Sequence, residues 1–346
     1  MIDSQKFYPA GRPNILVTGG AGFLGSHLCE ILVRDNNVIC IDNLLNSFNY
    51  HHIESLLRNP NFYFIKKDVN EPLDLMSMPE LKNLKIKFQG IQEIYHLACP
   101  TSPKNFEKLK IETLKVNSIG MLNILELART YQAKILFTSS SVVYGPRGKD
   151  NLYFKETDLG KVNFIGGRAC YDEGKRFAET IMFTYQQTYG LKVKVARIFR
   201  TYGPRLALFE GEMISDFALQ AINNEPHVIY GDESFDTSLC YVSDLIEGIT
   251  SLMKSDESGP FNLGSPEKYR LVDIAKKIIE MTNSSSTIKF LPPLLFMTPL
   301  GLPDISLAKE KLGWFPVIRP KVGLSKTIEY VKAYKTLLSP LMGKYE

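Results

Sequence analysis

The chain has 346 residues, 44% hydrophobic and 23% charged, enough for a sizeable core in one or two domains. Its net charge of +4 is dispersed, with no basic stripe interleaved with aromatics to suggest nucleic acid. No apolar run reaches the roughly 18 residues of a membrane span, so neither a nucleic acid nor a membrane is an expected partner.

Residues 1–13 are polar and read as a loose N-terminal extension without a signal-peptide core. Ile15-Leu-Val17 then predicts a buried strand. Gly19, Gly22 and Gly25 follow it as G-x-x-G-x-x-G, and an apolar helix pattern (Leu24, Leu28, Ile31, Leu32) begins inside the motif. The first glycine permits the tight turn, the second admits a pyrophosphate to the backbone, and the third lets the helix pack against the sheet. The free N–H groups of the new helix favour the phosphates. A second strand, 38–41, ends at Asp42, about twenty residues past the glycines, where a carboxylate suits a ribose diol and repels a 2′-phosphate. The expected cofactor is therefore NAD rather than NADP.

Further strands are predicted at 62–65, 93–97, 134–138 and 193–199, alternating with helices such as 112–131 and 171–189. The alternation predicts an α/β fold, a Rossmann doubly wound parallel sheet covered on both faces. Ligands of such sheets bind beyond the carboxyl ends of the strands, where this chain has Gly19, Asp42, Asp68, Ala98, Ser140 and Arg200.

After Arg200 the pattern changes. A turn at Gly203-Pro-Arg205 precedes a helix over 212–223 and a short run, Val228–Tyr230. Tyr241-Val-Ser-Asp244 opens a helix to about Met253, with Ser243 or Asp244 as N-cap. A strand at 261–264, a helix at 271–282 and a strand at 287–291 follow. A proline-broken loop over 291–302 and a helix at 323–335 complete the chain. These elements predict a smaller mixed α/β substrate lobe over 205–346, beside a nucleotide-binding domain over 14–204. The border is soft, with some segments returning to the first domain. Trp314 is expected to be a packing anchor.

The chemistry concentrates in two places. Tyr171 and Lys175 stand at i and i+4 on one helix face, where the ammonium favours the phenolate. A phenolate near neutral pH can take a proton from a sugar hydroxyl as hydride leaves the same carbon for NAD. Ser140 lies in Thr138-Ser-Ser-Ser-Val-Val-Tyr144-Gly, directly after an apolar strand, and can hold the reacting oxygen. The five cysteines (Cys29, Cys40, Cys99, Cys170, Cys240) form no C-x-x-C pair, so they predict reduced thiols and a cytoplasmic protein. The five histidines lack ligand spacing, so no metal is expected.

These motifs resemble those of the extended short-chain dehydrogenases/reductases that act on nucleotide sugars. They are Thr18-Gly-Gly-Ala-Gly-Phe-Leu-Gly25, Asp68-Val69, His96-Leu-Ala98, Asn117, Ser139-Ser-Ser-Val-Val-Tyr-Gly145, Tyr171-x-x-x-Lys175 and Tyr202-Gly-Pro-Arg205. The resemblance spans about residues 13–335. It leans to the UDP-glucuronate decarboxylase (UDP-xylose synthase) branch through His96-Leu-Ala-Cys-Pro-Thr-Ser-Pro103, Arg168–Arg176, Arg197–Arg205, Tyr241–Leu245, Gly259–Gly264 and Pro303-Asp-Ile305 before Leu312-Gly-Trp314.

The resemblance implies that Ser140, Tyr171 and Lys175 are catalytic. It implies that Gly19, Gly22, Phe23, Leu24, Gly25, Asp42, Asn43, Asp68, Val69, Leu97, Ala98, Tyr171 and Lys175 hold NAD. It implies substrate contacts at Pro100, Ser141, Arg200, Arg205 and Tyr230, a structural role for Asn117, and a nucleotide-sugar substrate, a UDP-sugar foremost. It also implies a homodimer paired through 112–131 and 171–189 as a four-helix bundle. The implied reaction oxidises C4, releases CO2 from the resulting β-keto acid, and reduces C4 again.

Three departures from the branch stand out. Val142 occupies the position of a glutamate. Gly301-Leu302 replaces basic residues before Pro-Asp-Ile. Arg200 stands where the family has Asn, while Thr237 stands where it has a diphosphate-binding Arg. The last pair implies an exchange in which Arg200 supplies the bidentate diphosphate contact. The first two leave open a 4-epimerase or a C4 dehydrogenase/reductase without decarboxylation. A non-catalytic NAD-binding sensor is the remaining alternative, and it sits poorly with a retained Tyr171/Lys175 pair.

Overall fold

A computed structural model describes residues 11–102, 108–148, 151–208, 210–292 and 299–342. The expected extension over 1–13 therefore lies largely outside the described residues. At its end, the Arg12 guanidinium donates to the Arg34 carbonyl at 2.7 Å.

The nucleotide half follows the sequence closely. Strand β1 (Asn14–Thr18) leads into helix α1 (Phe23–Leu32), and β2 (Asn37–Asp42), β3 (Phe62–Lys66) and β4 (Glu93–His96) follow. Next come α2 (Lys110–Lys115), α3 (Met121–Tyr131), β5 (Lys134–Ser140), β6 (Tyr153–Phe154), α4 (Ala169–Tyr189) and β7 (Val193–Ile198). The later strands are β8 (Thr201–Tyr202), β9 (His227–Tyr230), β10 (Asp236–Thr237), β11 (Cys240–Tyr241), β12 (Phe261–Leu263), β13 (Tyr269–Arg270), β14 (Ile288–Leu291) and β15 (Leu302–Pro303). Among them lie α5 (Met213–Asn223), α6 (Val242–Lys254), α7 (Leu271–Thr282), α8 (Ser306–Leu312) and α9 (Pro320–Met342).

The central sheet has seven strands in the order β12-β7-β5-β4-β1-β2-β3. Strand β1 pairs in parallel with β2 (Val17↔Cys40) and with β4 (Val17↔Tyr95). The order reverses at β1, which makes the ends of β1 and β4 the topological switch point where doubly wound sheets bind ligands. Branched side chains buried on both faces explain why β1 and β2 lie inside: Ile15, Leu16, Val17, Val38, Ile39 and Ile41 are almost fully inaccessible. The expected Rossmann fold is observed.

The chain separates into two compact units. One comprises residues 1–99, 118–137 and 180–194; the other comprises 100–117, 138–179 and 195–346. The second unit carries four two-stranded sheets besides its share of the central one: β10-β13, β11-β8, β14-β9 and β15-β6.

Four expectations need correction. The helix over 112–131 is interrupted by a π turn at Val116–Gly120. There Asn117 Nδ2 donates to the Thr113 carbonyl at 2.8 Å, a side-chain bond that competes with the helical ladder. The helix opened by Tyr241 begins at Val242, so Ser243 and Asp244 lie inside it and neither caps it. Instead, Asp244 Oδ2 accepts the N–H groups of Val317 (3.0 Å) and Ile318 (2.8 Å). The loop over 291–302 ends in a strand, because Leu302 N donates to Leu152 O at 2.8 Å and Asp304 N to Phe154 O at 2.9 Å; its residues 293–298 lie outside the described set. The last helix begins at Pro320 rather than 323, and α8 has no counterpart in the sequence reading.

Trp314 is buried and its Nε1 donates to Asp244 O at 2.8 Å, which fits the anchor role. None of the five cysteines is in a disulfide. Among the described residues no helix is long and apolar enough to cross a membrane, and no cluster of three candidate ligands exists for a metal.

Candidate active site

In the first unit the glycines do physical work at the end of β1. Gly19 adopts φ +68°, and a Cβ there would lie 2.7 Å from Ala98 N, so the loops after β1 and β4 touch backbone to backbone. A Cβ on Gly25 would overlap the Gly19 carbonyl, which explains the third glycine. Gly22 is the N-cap of α1 and supplies no side-chain cap. The first-turn N–H groups of Phe23 and Leu24 have no partner within the helix, and the helix dipole lies behind them.

Asp42 ends β2 as expected. Its Oδ2 accepts Ala21 N at 3.1 Å and its Oδ1 accepts Leu44 N at 2.9 Å. Burial raises its carboxyl above the ordinary range, and the two amides oppose that rise. Asn43 Nδ2 donates to Asp68 Oδ2 at 3.0 Å, and Asp68 Oδ1 accepts Asn70 N at 2.8 Å. Val69 O accepts from Asn123 Nδ2 at 2.9 Å, and Leu97 N donates to Thr18 O at 3.0 Å. The candidate cofactor residues Gly19, Gly22, Phe23, Leu24, Gly25, Asp42, Asn43, Asp68, Val69, Leu97 and Ala98 thus gather at the carboxyl ends of β1 to β4.

In the second unit, β5 ends at Ser140, whose Oγ accepts Val142 N at 3.4 Å and caps the short turn Ser141–Tyr144. Ser140, Ser141, Tyr171 and Lys175 are all buried. Lys175 Nζ donates to Thr138 O at 2.9 Å and lies 5.8 Å from the centre of the Tyr171 ring. The i, i+4 spacing therefore holds, and the ammonium is anchored to the strand that carries Ser140. Gly174, between Tyr171 and Lys175, lets Asn117 approach closely: a Cβ there would meet Asn117 Nδ2 at 3.2 Å.

The expected substrate residues have different surroundings. Pro100 is half-buried after β4, and Tyr230 is half-buried at the end of β9, paired with Leu291. Arg205 sits in the turn with φ +70°, a left-handed backbone that is uncommon for arginine. Arg200 gives its carbonyl to Cys240 N at 3.0 Å. Burial pulls its guanidinium below the ordinary arginine range; Glu212 opposes this and Arg168 adds to it. Glu212 is itself pushed up to about 7 by burial, with Arg200 acting the other way. Thr237, the other half of the suggested exchange, spends its hydroxyl on Ser238 O at 3.2 Å.

Three features escaped the sequence reading. His52 Nδ1 pairs with the Ala21 carbonyl at 3.1 Å, steadying the glycine loop from a residue with no motif signal. Thr18 Oγ1 pairs with His96 Nδ1 at 2.7 Å, joining the ends of β1 and β4. Buried Ser139 and Glu179 join half-buried Arg197 in a bonded group next to Ser140 in the chain. Glu179 lies one turn beyond Lys175, so the spacing Tyr171, Lys175, Glu179 could have flagged it.

Comparison with known proteins bears on what these residues serve. A family model described as GDP-mannose 4,6 dehydratase matches residues 16–291. UDP-glucuronic acid decarboxylase 1 of Arabidopsis thaliana is 43% identical over 320 residues, covering 92% of this chain and 69% of that protein. UDP-glucuronic acid decarboxylase 1 of Danio rerio is 42% identical over 339 residues, covering 94% and 76%. The solved structure of UDP-glucuronic acid 4-epimerase from Bacillus cereus, in complex with UDP-glucuronic acid and NAD, superposes with a TM-score of 0.79 at 26% identity, covering 92% of this chain and 99% of that one.

Proposed function

The chain belongs to the GDP-mannose 4,6-dehydratase family of extended short-chain dehydrogenases/reductases, and we propose that it is an NAD-dependent enzyme of the UDP-glucuronate decarboxylase type, oxidising C4 of a UDP-sugar. The observation that carries this reading is the lysine fixed on the Thr138 carbonyl beside Ser140, with the Tyr171 ring 5.8 Å away.

The residues of the first unit fit a dinucleotide. The uncapped start of α1 and the bare backbone of Gly22 suit its diphosphate, and Asp42 suits the adenosine ribose. Bound there, NAD would supply the redox chemistry at C4. The protein's own groups handle the proton. The Lys175 ammonium stabilises a Tyr171 phenolate, which takes the proton of the sugar O4. The Ser140 hydroxyl holds that oxygen in line. Oxidation at C4 makes a glucuronate C5 carboxylate a β-keto acid, from which CO2 departs.

A second reading, a 4-epimerase or C4 dehydrogenase/reductase without loss of CO2, is favoured by one specific pair of positions. Val142 is buried and cannot relay a proton. Gly301 has no room for a side chain, because even a Cβ there would overlap the Phe154 ring.

Incubation with UDP-glucuronate tests both readings. The main one expects CO2 and a UDP-pentose; the second expects an isomeric UDP-uronate or NADH without CO2. In either case Tyr171→Phe lowers kcat by about 100- to 10,000-fold while the cofactor stays bound. Unchanged turnover in that variant would refute C4 acid–base chemistry at Tyr171.

The cytoplasm is the proposed compartment, supported by five free thiols. A homodimer is proposed through the helices over 112–131 and 171–189. Support comes from exposed apolar side chains on these segments, including Leu114 (43%), Ile119 (47%), Phe177 (53%) and Tyr189 (54%).

A further inference from the structure

We propose that Ser139, Glu179 and Arg197 are positioning residues: a buried charged strut that fixes the end of β5 against the face of α4 bearing Tyr171 and Lys175. This rests on the reading of Tyr171 and Lys175 as acid–base groups and adds residues to which no role has been attached.

Hydrogen bonds tie this strand to this helix at successive positions. Lys175 Nζ donates to Thr138 O at 2.9 Å. One residue further along the strand and one helical turn further along the helix, Ser139 Oγ donates to Glu179 Oε1 at 2.5 Å. Neighbouring strand residues point to opposite faces, so a clamp on Ser139 sets the direction of Ser140 without occupying it. Tyr171, Lys175 and Glu179 recur every four residues and so share one helix face.

The clamp is itself held. Arg197 on β7 grips Glu179 with two bonds, Nε to Oε1 at 3.0 Å and Nη2 to Oε2 at 2.8 Å. Such a fork fixes the carboxylate plane as well as its position. Arg197 Nη1 continues to the Tyr144 hydroxyl at 2.8 Å and to Glu156 O at 3.1 Å. Tyr144 then donates to Asn262 Oδ1 at 2.6 Å. Asn262 Nδ2 closes the web on Phe154 O at 2.9 Å and Asp304 O at 3.2 Å. One arginine and one carboxylate make the core of the web neutral in sum. Glu179 keeps Arg197 charged, raising its guanidinium against the pull of burial. A single glutamate thereby connects Ser139 to Arg197, Tyr144, Asn262 and the 304 segment, residues that all belong to the second unit.

The arrangement differs from passive packing in what it predicts. Loosening it should change the rate of the chemical step and the acidity of Tyr171, while ground-state binding stays in place. The test uses Ser139→Ala, which removes one hydroxyl and leaves the Glu179–Arg197 fork intact, with Ser139→Thr as the variant that restores the donor. With whichever UDP-sugar the wild type turns over, Ser139→Ala should lower kcat about ten-fold with KM within two-fold. Ser139→Thr should recover most of the loss.

A readout that needs no substrate accompanies it. The tyrosinate absorbance attributable to Tyr171 is obtained by difference from Tyr171→Phe. It should titrate at higher pH in Ser139→Ala than in wild type, as the lysine loses its fixed position. Ser139→Val, which has the shape of the rescuing threonine without its hydroxyl, should shift the same titration in the same direction, and it serves if Ser139→Ala does not fold. A folded Ser139→Ala or Ser139→Val protein with an unmoved Tyr171 titration overturns the strut, whatever the substrate proves to be. A shifted titration in a protein whose wild type turns over no UDP-sugar would instead leave the strut standing and refute the proposed activity.

Discussion

The two units hold their functional backbone by opposite means. At the end of β1 the first unit removes side chains: Gly19 presses on Ala98, Gly25 on Gly19, and the phosphate-facing turn is bare. At the end of β5 the second unit adds them, with a serine, a glutamate, an arginine and a tyrosine bonded in series. The difference follows from what each must offer. A diphosphate is large and needs room and N–H groups. A proton-transferring phenol needs direction, which only bonded neighbours supply. Room is encoded by glycine spacing and is sensitive to added volume, whereas direction is encoded by partners spread along the chain and is sensitive to removed charge.

The comparison can be pressed hardest at Arg197. Arg197→Met takes away the cation and strands the Glu179 carboxylate in a buried site, which should cost about 3–5 kcal/mol. The double variant Arg197→Met/Glu179→Leu should recover much of that, because no charge is then left unpaired. Chemical denaturation of the single and double variants checks it, and equal stability of the two would contradict the picture.

A buried titratable group without such partners should behave differently. His227 is inaccessible, stacked at 4.9 Å on Phe217, and burial pushes it down to about 4. Its imidazole is neutral in the fold and protonates more readily when unfolded, near 6.5. The stability it contributes is complete above about pH 6.5 and falls away as the pH drops through 4, by up to about 3 kcal/mol. His227→Phe should therefore lose less stability than wild type between pH 7 and pH 4 in melting experiments. Parallel loss in the two proteins would remove His227 from the account.

The smallest of these effects belongs to the bare turn. Gly25→Ala forces a methyl group onto the Gly19 carbonyl, an overpacking cost of about 1–3 kcal/mol. It should appear as roughly ten-fold or greater weakening of NAD retention, with the charged web unaffected. Calorimetric titration with NAD measures it, and wild-type affinity would mean the turn tolerates volume.

The same contrast explains what could be read from the sequence. The strands near the glycine turn were legible because apolar runs and glycine spacing are local signals. The Tyr171/Lys175 pair was legible because four residues make one helical turn. Ser139, Glu179 and Arg197 are 40 and 18 residues apart, and only folding joins them. The π turn at Val116–Gly120 stayed hidden because an extra residue in a helix leaves the apolar pattern nearly intact. Asp244 looked like a helix cap by position, but its carboxylate is captured by amides more than seventy residues away in sequence.

One further consequence lies at Gly301. The Phe154 ring that fills the space beside it is stacked on Tyr144 at 4.9 Å, with only 2° between the planes. Phe154 is buried in a cluster with Val143, Tyr144 and Phe199. A basic residue at position 301 would therefore clash with Phe154 unless that ring were first trimmed, so the substitutions have a favoured order. Giving this protein an arginine there, by design or by descent, costs least by way of a smaller residue at 154.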